Sequence, residues 1–296
     1  MPCFKPLEGY RSKFVNKTGK RSIVFNLREA EDDRVVTLPC GQCIGCRLNR
    51  SRQWAIRCMH EASLYKRNCF ITLTFSPENL PKDGSLNKRD FVLFMKRLRK
   101  KFGEGIRFFH CGEYGEMLSR PHHHACLFNF DFDDKYLFSC KRGVLLYRSP
   151  ILETLWPYGF STVGSVTFES AAYVARYVTK KFTGKSSDEF YQGKVPEYVT
   201  MSRRPGIARD WFEQFKDDIY PSDYVVIRNG IKCRPPRYYD SIYDLQNPED
   251  FDMVKERRKS QLDQRLVDLT PERLAVREKV QLARFSKLQR SYENGS

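Results

Sequence analysis

The chain has 296 residues and a formal net charge of +16, and 41% of its residues are hydrophobic and 14% aromatic. This content supports a buried core and excludes a disordered basic tail, while the absence of roughly eighteen consecutive apolar residues argues against a membrane span. We expect a cytosolic protein without a signal peptide or membrane contact, whose positive charge favours a polyanion such as nucleic acid or is simply a soluble basic surface.

The first predicted elements are two strands and a basic helix. Ser22–Leu27 and Arg34–Leu38 are rich in β-favouring residues and predict a hairpin. From about Arg47 to Lys66, apolar residues recur at helical spacing and predict a helix. Its positive charges include Arg47, Arg50 and Arg57.

A cluster of cysteines stands between the hairpin and the helix. Cys40, Cys43 and Cys46 have C-x2-C-x2-C spacing, and Cys3 is the natural fourth ligand if the N-terminus folds back. Four thiolates at such spacing are typical of structural Zn2+, and reduced cysteines without a metal are the alternative. An iron–sulfur cluster fits less well, because the usual fourth cysteine of that pattern is missing from the run.

The next segment predicts a strand and a second basic helix. Cys69–Phe75 alternates as a strand does, and a helix is expected between an N-cap at Asn87 and a stop at Gly103. This helix is dense in lysine and arginine, which favours either a phosphate-facing surface or a solvated outer face. The residues selected as phosphate contacts are Lys96, Arg99 and Lys100.

Three of the five histidines are consecutive, at the start of the predicted strand PHHHACLFNF. Side chains alternate on a strand, so His122 and His124 share one face and His123 takes the other. Glu113 lies on the preceding strand, IRFFHCGEYG, which is expected to be the antiparallel neighbour. Two imidazoles and a carboxylate are typical of an open, catalytic metal site, although the same set is compatible with a zinc hydrolase. The competing interpretation is that these histidines are surface or core residues with ordinary hydrogen bonds, which would be the expected role of a lone histidine.

The segment ESAAYVARYVTKKF predicts a helix that carries two tyrosines on one face. Tyr173 and Tyr177 are four residues apart, and Lys180 follows one turn later. A tyrosine oxygen that attacks a phosphodiester forms a phosphotyrosine, which keeps the energy of the bond for later rejoining. With 16 tyrosines in the chain, packing against a core is the competing interpretation.

The remaining elements are a strand at STVGSVTF, a short helix at RRPGIARDWFEQF and a charged tail from Pro248 onward. Within the tail, Thr270-Pro271-Glu272 predicts a helix start. FTGKSS is not a phosphate-binding loop, because Thr179 stands where that pattern requires glycine. The sequence therefore shows no ATPase motif of this type.

Three motifs together resemble the HUH endonucleases, the rolling-circle replication initiators. FITLTF, the H-x-H of HHH, and YVARYVTK occur in the order of that family, and the set resembles most closely the initiators of gokushovirus-type microviruses. CGQCIGCR, HCGEYGEMLSRPHHH and RRPGIARDWFEQF are also similar to that group, so the resemblance covers Cys40 to about Phe215. One departure is His123, since the middle position is usually hydrophobic in the family.

The resemblance implies a fold class and a set of site residues. The fold would be α+β, a ferredoxin-like antiparallel sheet with flanking helices, with the H-x-H on a central strand. Mg2+ or Mn2+ would be held by His122, His124 and Glu113. Tyr177 matches the Y-x-x-K tyrosine with Lys180, and Tyr173 matches the second tyrosine of the two-tyrosine members, in which one cleaves and the other can take over strand transfer.

We predict a sequence-specific nickase and ligase for single-stranded DNA at a replication origin, which initiates and terminates rolling-circle replication in the cytoplasm of a bacterial host. Because the chain has no ATPase motif, we expect a host helicase and DNA polymerase to act from the nick. The predicted domains are 1–66 (hairpin, zinc knuckle and basic helix packed on the core), 67–220 (HUH nuclease core) and 221–296 (charged, partly helical extension). Further predicted DNA contacts are Arg176, Lys181 and Arg203. The alternatives are a relaxase or transposase with the same chemistry and a non-enzymatic, basic, zinc-containing nucleic-acid-binding protein.

Overall fold

The computed structural model describes residues 3–16, 19, 21–115, 118–141, 143–180, 186–263 and 266–286, apart from the side chains at 141, 176–180, 186–188 and 263. The chain divides into two compact units. The first unit comprises Met1–Asn49 and Lys259–Leu288, and the described part of the second is Arg50–Arg258. These boundaries differ from the predicted three-domain division, which stays a prediction.

Strands and helices both contribute to the described residues, so the fold is α+β. The strands are β1 (Leu7–Val15), β2 (Arg21–Val24), β3 (Val36–Leu38), β4 (Asn68–Thr74), β5 (Arg107–Tyr114), β6 (Pro121–Phe128), β7 (Tyr136–Lys141), β8 (Val144–Arg148), β9 (Ser161–Gly164), β10 (Tyr198–Met201), β11 (Val225–Val226) and β12 (Lys232–Cys233). The helices are α1 (Ile44–Ser63), α2 (Lys88–Phe102), α3 (Pro150–Leu155), α4 (Phe168–Lys180), α5 (Ser186–Tyr191), α6 (Arg209–Ile219), α7 (Arg237–Gln246), α8 (Pro248–Asp263) and α9 (Pro271–Ser286). Among these residues, no helix combines the length and apolar character that crossing a membrane requires.

The first unit contains a three-stranded antiparallel sheet in the order β2-β1-β3. The predicted hairpin of β2 with β3 is wrong, because each of these strands pairs with β1 and not with the other. β1 escaped prediction because most of its side chains are exposed on both faces, so LEGYRSKFV lacks a clear hydrophobic alternation. Only Gly9 and Ser12 of this strand are buried.

The second unit is built on a seven-stranded antiparallel sheet in the order β10-β5-β6-β4-β9-β8-β7. The predicted pairing of β5 with β6 is confirmed, and β6 lies between β5 and β4. The register places Glu113 opposite His122 on one side and Thr72 opposite His124 on the other. The histidine strand is therefore internal to the sheet, with backbone partners along both edges.

Each face of this sheet is covered by helices. On one face, Phe109 and Phe128 belong to a core that includes residues of α1, α4, α6 and α7. On the opposite face, Ile71 and Leu127 pack with residues of α2 and α3. Each such fully buried side chain contributes about 1.5–3 kcal/mol through removal of apolar surface from water. Side chains on the first face of β5 and β6 therefore project toward α4.

Candidate active site

Glu113, His122 and His124, here called the ligand triad, converge on one face of the large sheet. Each residue offers one ligand atom, and these atoms lie within 4.8 Å of one another. Glu113 Oε1 is 2.8 Å from His122 Nε2 and 2.8 Å from His124 Nε2. Glu113 is only 1% exposed and His124 2%. The predicted grouping of two imidazoles and a carboxylate is thus present in the fold.

Neighbouring groups orient both imidazoles so that Nε2 faces the carboxylate. His122 Nδ1 lies 3.0 Å from the carbonyl oxygen of Arg120, which can only accept, so this nitrogen carries a proton. His124 Nδ1 is paired with the hydroxyl of Thr72 at 2.9 Å. Such a partner on the second ring nitrogen is typical of metal-ligating histidines, because it fixes the tautomer and the ring orientation.

The triad has hydrogen-bonding capacity that the described residues leave unsatisfied. Glu113 Oε2 is buried and makes no hydrogen bond among those residues, and the buried His124 Nε2 faces the Glu113 carboxylate at 2.8 Å. A buried unpaired polar atom costs about 1–3 kcal/mol, and a cation shared by the three ligands would remove that cost. The donor set therefore fits a divalent metal ion, while its chemistry alone is compatible with several such ions.

The electrostatics of the site favour the protonation states of Glu113 and His124 that can bind a metal ion. Burial would raise the pKa of Glu113, but the imidazoles of His124 and His122 outweigh it and hold this pKa below its usual value. Burial lowers the pKa of His124, although Glu113 opposes that shift. An ionised carboxylate and a neutral imidazole are the forms that bind metal ions.

Tyr173 places its phenol oxygen beside the triad. α4 begins with reciprocal bonds in which the Ser170 amide donates to Thr167 Oγ1 (3.1 Å) and the Thr167 amide donates to Ser170 Oγ (2.8 Å). One turn later the Tyr173 hydroxyl donates to Glu113 Oε1 at 3.1 Å, and its ring stands edge-on to that of His124. Tyr173 is 2% exposed, so its oxygen is buried against the ligands rather than in apolar packing alone.

Two predicted catalytic residues and two predicted DNA contacts lie outside the described side chains. Tyr177 and Lys180 fall within α4, but their side chains are not described, and neither is that of Arg176. Lys181 lies outside the described residues altogether. Their roles stay predictions.

His123 points to the opposite face of the sheet from the triad. Its Nδ1 is 3.1 Å from His110 Nε2, and burial lowers the pKa of His123 to about 3. This pair of neutral imidazoles is part of the core behind the site, as the predicted alternation of faces requires. The involvement of His110, Thr72 and the Arg120 carbonyl was not predicted, although Thr72 could have been found from the alternation of FITLTF.

The basic residues selected as DNA contacts differ in their surroundings. Arg50, Lys96, Lys100 and Arg203 are exposed, whereas Arg47 and Arg99 are half-buried. Arg99 donates to the carbonyl of Ile106 at 2.7 Å. It also lines an open cavity of about 540 Å³ together with Arg203 and Arg204, near the end of β5 opposite to Glu113.

Arg57 requires a correction. It is buried, and its guanidinium donates from Nε and Nη2 to the carbonyl oxygen of Ile207, at 3.2 and 2.9 Å. The same group lies 4.1 Å from the ring centre of Trp54 and 3.8 Å from that of Tyr238. A guanidinium held between two rings and a carbonyl is not available to a DNA phosphate, so Arg57 stabilises the fold instead.

A second set of ligand-type side chains belongs to the first unit. The sulfur atoms of Cys3, Cys40, Cys43 and Cys46, here called the cysteine cluster, lie within 4.8 Å of one another. None of these cysteines forms a disulfide. The structure thus groups the four cysteines that the spacing predicted.

Comparisons with known proteins show the family to which the chain belongs. Replication-associated protein VP4 of Bdellovibrio phage phiMH2K is 36% identical over 260 residues, which are 84% of this chain and 79% of that protein. Replication-associated protein ORF2 of Spiroplasma virus 4 is 36% identical over 281 residues, covering 87% of this chain and 86% of that protein. The chain belongs to the replication-associated proteins of gokushovirus-like phages.

Two further comparisons bear on the site. Replication-associated protein ORF4 of Chlamydia phage 1 is 31% identical over 229 residues, 74% of this chain and 56% of that protein. The family model described as replication-associated protein ORF2/G2P matches residues 68–182. This segment runs from the first residue of β4 past the end of α4 and contains the whole triad and both tyrosines. No solved structure matches the chain significantly.

Proposed function

We propose that this protein nicks and rejoins single-stranded DNA, at the origin of a phage genome, to initiate and terminate rolling-circle replication. The observation that carries the proposal is the convergence of the ligand triad with the hydroxyl of Tyr173, which donates to Glu113 Oε1 at 3.1 Å. A metal site alone is compatible with many reactions. A phenol oxygen beside it favours phosphoryl transfer through a phosphotyrosine.

The chain's own residues would supply positioning and charge. His122, His124 and Glu113 would hold Mg2+ or Mn2+, with Thr72 and the Arg120 carbonyl fixing the two imidazoles. When bound, the ion would neutralise negative charge on the phosphate oxygens as the phosphodiester is attacked. Exposed lysines and arginines of the second unit would hold the DNA backbone, so affinity would fall as salt rises.

The proposed reaction conserves one phosphodiester bond at each step. The oxygen of Tyr173 or Tyr177 attacks phosphorus, loses its proton and forms a new bond, while the bond from phosphorus to the 3′ oxygen breaks. That oxygen takes up a proton and becomes the 3′ hydroxyl from which synthesis extends. In the reverse reaction a 3′ hydroxyl attacks the phosphotyrosine, reseals the strand and returns the proton to the phenol. The second tyrosine would serve the final strand transfer, and Lys180 would stabilise the negative charge that develops on the phenol oxygen and the phosphate.

The same chemistry in a ferredoxin-like HUH core is also used by relaxases and transposases. The antiparallel sheet with an internal histidine strand supports such a core, and the phage relatives named as replication-associated favour the replicative role. A non-enzymatic binding protein is less well supported, because it would not need a phenol next to the triad. A host helicase and polymerase would act from the nick, in the cytoplasm of the infected bacterium.

An adduct assay tests the proposal. Labelled single-stranded fragments that tile the genome encoding the protein are incubated with it and Mn2+, and covalent protein–DNA products are resolved on a denaturing gel. We expect one fragment to form an adduct that the Tyr173→Phe, Tyr177→Phe double variant cannot form. Tyr136→Phe, an exposed tyrosine on β7, is the matched control and should react normally. An adduct undiminished in the double variant would overturn the nucleophile assignment.

A further inference from the structure

The cysteine cluster has the dimensions of a closed metal site. Cys3 Sγ and Cys43 Sγ are 3.8 Å apart, and all four sulfur atoms lie within 4.8 Å of one another. With Zn–S bonds of about 2.3 Å, tetrahedral geometry places sulfur atoms about 3.8 Å apart. We propose that Cys3, Cys40, Cys43 and Cys46 bind one structural Zn2+ ion, an inference that does not depend on the nicking activity.

Backbone amides surround the cluster as donors to sulfur. The amide of Cys40 donates to Cys3 Sγ at 3.2 Å, and that of Phe4 donates to Cys43 Sγ at the same distance. The Cys40 sulfur accepts from the amides of Gln42 (3.4 Å) and Cys43 (3.3 Å). Such donors stabilise thiolates, because hydrogen bonds to a charged acceptor are stronger than those to a neutral thiol. Zinc binding would release the four thiol protons to solvent and leave thiolates that these amides already face.

The geometry fits two other uses of the cysteines less well. A disulfide needs sulfur atoms about 2.05 Å apart, far shorter than the Cys3–Cys43 separation of 3.8 Å. In an iron–sulfur cluster each thiolate binds a cluster with several iron atoms, which spreads the sulfurs further than one shared ion does. A single tetrahedral ion is the species that the spacing accommodates. Zn2+ is the divalent ion typically held by four thiolates.

The cluster joins two segments that are remote in sequence and packs against a third, α9. Phe4 and Ile44, next to cluster cysteines, pack with Leu274 of α9, which is 4% exposed. Among the residues described, this core has four buried members, of which Cys43 is the fourth, and the other three cysteines, Leu48, Leu269 and Phe285 pack around it. So small a core rarely stabilises a fold by itself, and a bound metal is a common substitute. Four protein ligands leave no position for substrate, so the role of the ion is structural.

Metal analysis of the full chain tests this inference. Protein purified in reductant from zinc-supplemented cells should contain about one zinc per chain, released by a chelator only after the thiols are modified. Replacement with Co2+ should give the strong visible absorption of tetrahedral thiolate coordination. Zinc below one tenth of an equivalent, together with no cobalt spectrum on titration, would overturn the inference. So would iron in place of zinc.

Variants assign the ion to the cluster rather than to the triad. Cys43→Ser should lose zinc, whereas Cys140→Ser, which removes an exposed thiol on β7, should keep it. The His122→Ala, His124→Ala double variant should also keep it. Cys46→His provides a second comparison that does not depend on the solubility of Cys43→Ser. An imidazole can replace a thiolate as ligand, so zinc should be retained and the cobalt spectrum shifted. Equal zinc in Cys43→Ser and Cys140→Ser would contradict the assignment.

Discussion

The ligand triad and the cysteine cluster both present metal-binding side chains, but they differ in the number of ligands and in their surroundings. The triad offers three ligands of mixed type, beside a tyrosine hydroxyl, at the junction of a sheet and a helix. The cluster offers four thiols among apolar side chains that belong to segments far apart in sequence. An incomplete ligand set next to a nucleophile is suited to reaction, whereas a complete set within a small core is suited to folding. The comparison predicts that metal removal affects activity at one place and stability at the other.

The largest expected change in reaction rate comes from loss of a ligand of the triad. His122→Asn should lower the rate of adduct formation about 10³-fold, roughly 4 kcal/mol of transition-state stabilisation, because a metal ligand is lost. The melting temperature should change little, since the sheet and its two cores do not depend on this half-buried side chain. The control is His60→Asn on α1, where the imidazole pairs with the hydroxyl of Tyr239 and should not affect the reaction. Equal rates for the two variants would contradict the metal assignment.

Zinc removal should affect the first unit alone. Loss of the proposed ion would destabilise that unit by on the order of 5 kcal/mol or more, because the free energy of metal binding is part of its folding energy. Zinc is removed by chelation under thiol-modifying conditions, Mg2+ is added back, and amide hydrogen exchange is then measured. We expect faster exchange in 3–16, 40–49 and 266–286. Strands β4 to β6 should keep their protection. Uniform protection across both units would show that the cluster does not need a metal.

A smaller effect is expected from the group behind His124. Thr72→Val removes the hydroxyl that pairs with His124 Nδ1 and should weaken Mn2+ binding about 10–100-fold. Thr74→Val on the same strand is the matched control, because the Thr74 hydroxyl donates to the carbonyl of Phe160 instead. Calorimetric titration with Mn2+ measures both. Identical Mn2+ affinities in the two variants would show that Thr72 does not orient the ligand.

The last comparison separates a structural arginine from a DNA-facing one. Arg57→Met should lower the free energy of unfolding by about 2–3 kcal/mol, through loss of its bonds to the Ile207 carbonyl and its ring contacts. Arg203→Ala should leave stability unchanged and reduce the salt dependence of DNA affinity by about one phosphate contact. Chemical denaturation and binding at several salt concentrations measure the two effects. A reduced salt slope for Arg57→Met would restore the original DNA assignment.

The sequence predicted the active-site grouping better than the surroundings of individual charges. Strand alternation and the pairing of β5 with β6 are enough to bring Glu113 to His122, because the register of adjacent strands is a local property. The orientation of Arg57 depends on Trp54 and on Tyr238, which is remote in sequence, so helical spacing alone could not tell a buried guanidinium from an exposed one. β1 was also missed. Most of its side chains are exposed, so its sequence does not alternate between apolar and polar residues.

The most direct test of the central claim is the position of a bound ion. Crystals of the protein with Mn2+, measured at a wavelength where manganese scatters anomalously, locate that ion independently of any assay. We expect one peak bonded to Nε2 of His122, Nε2 of His124 and a carboxylate oxygen of Glu113, with the Tyr173 hydroxyl adjacent. No peak at saturating Mn2+, or a peak held by other residues, would contradict the account.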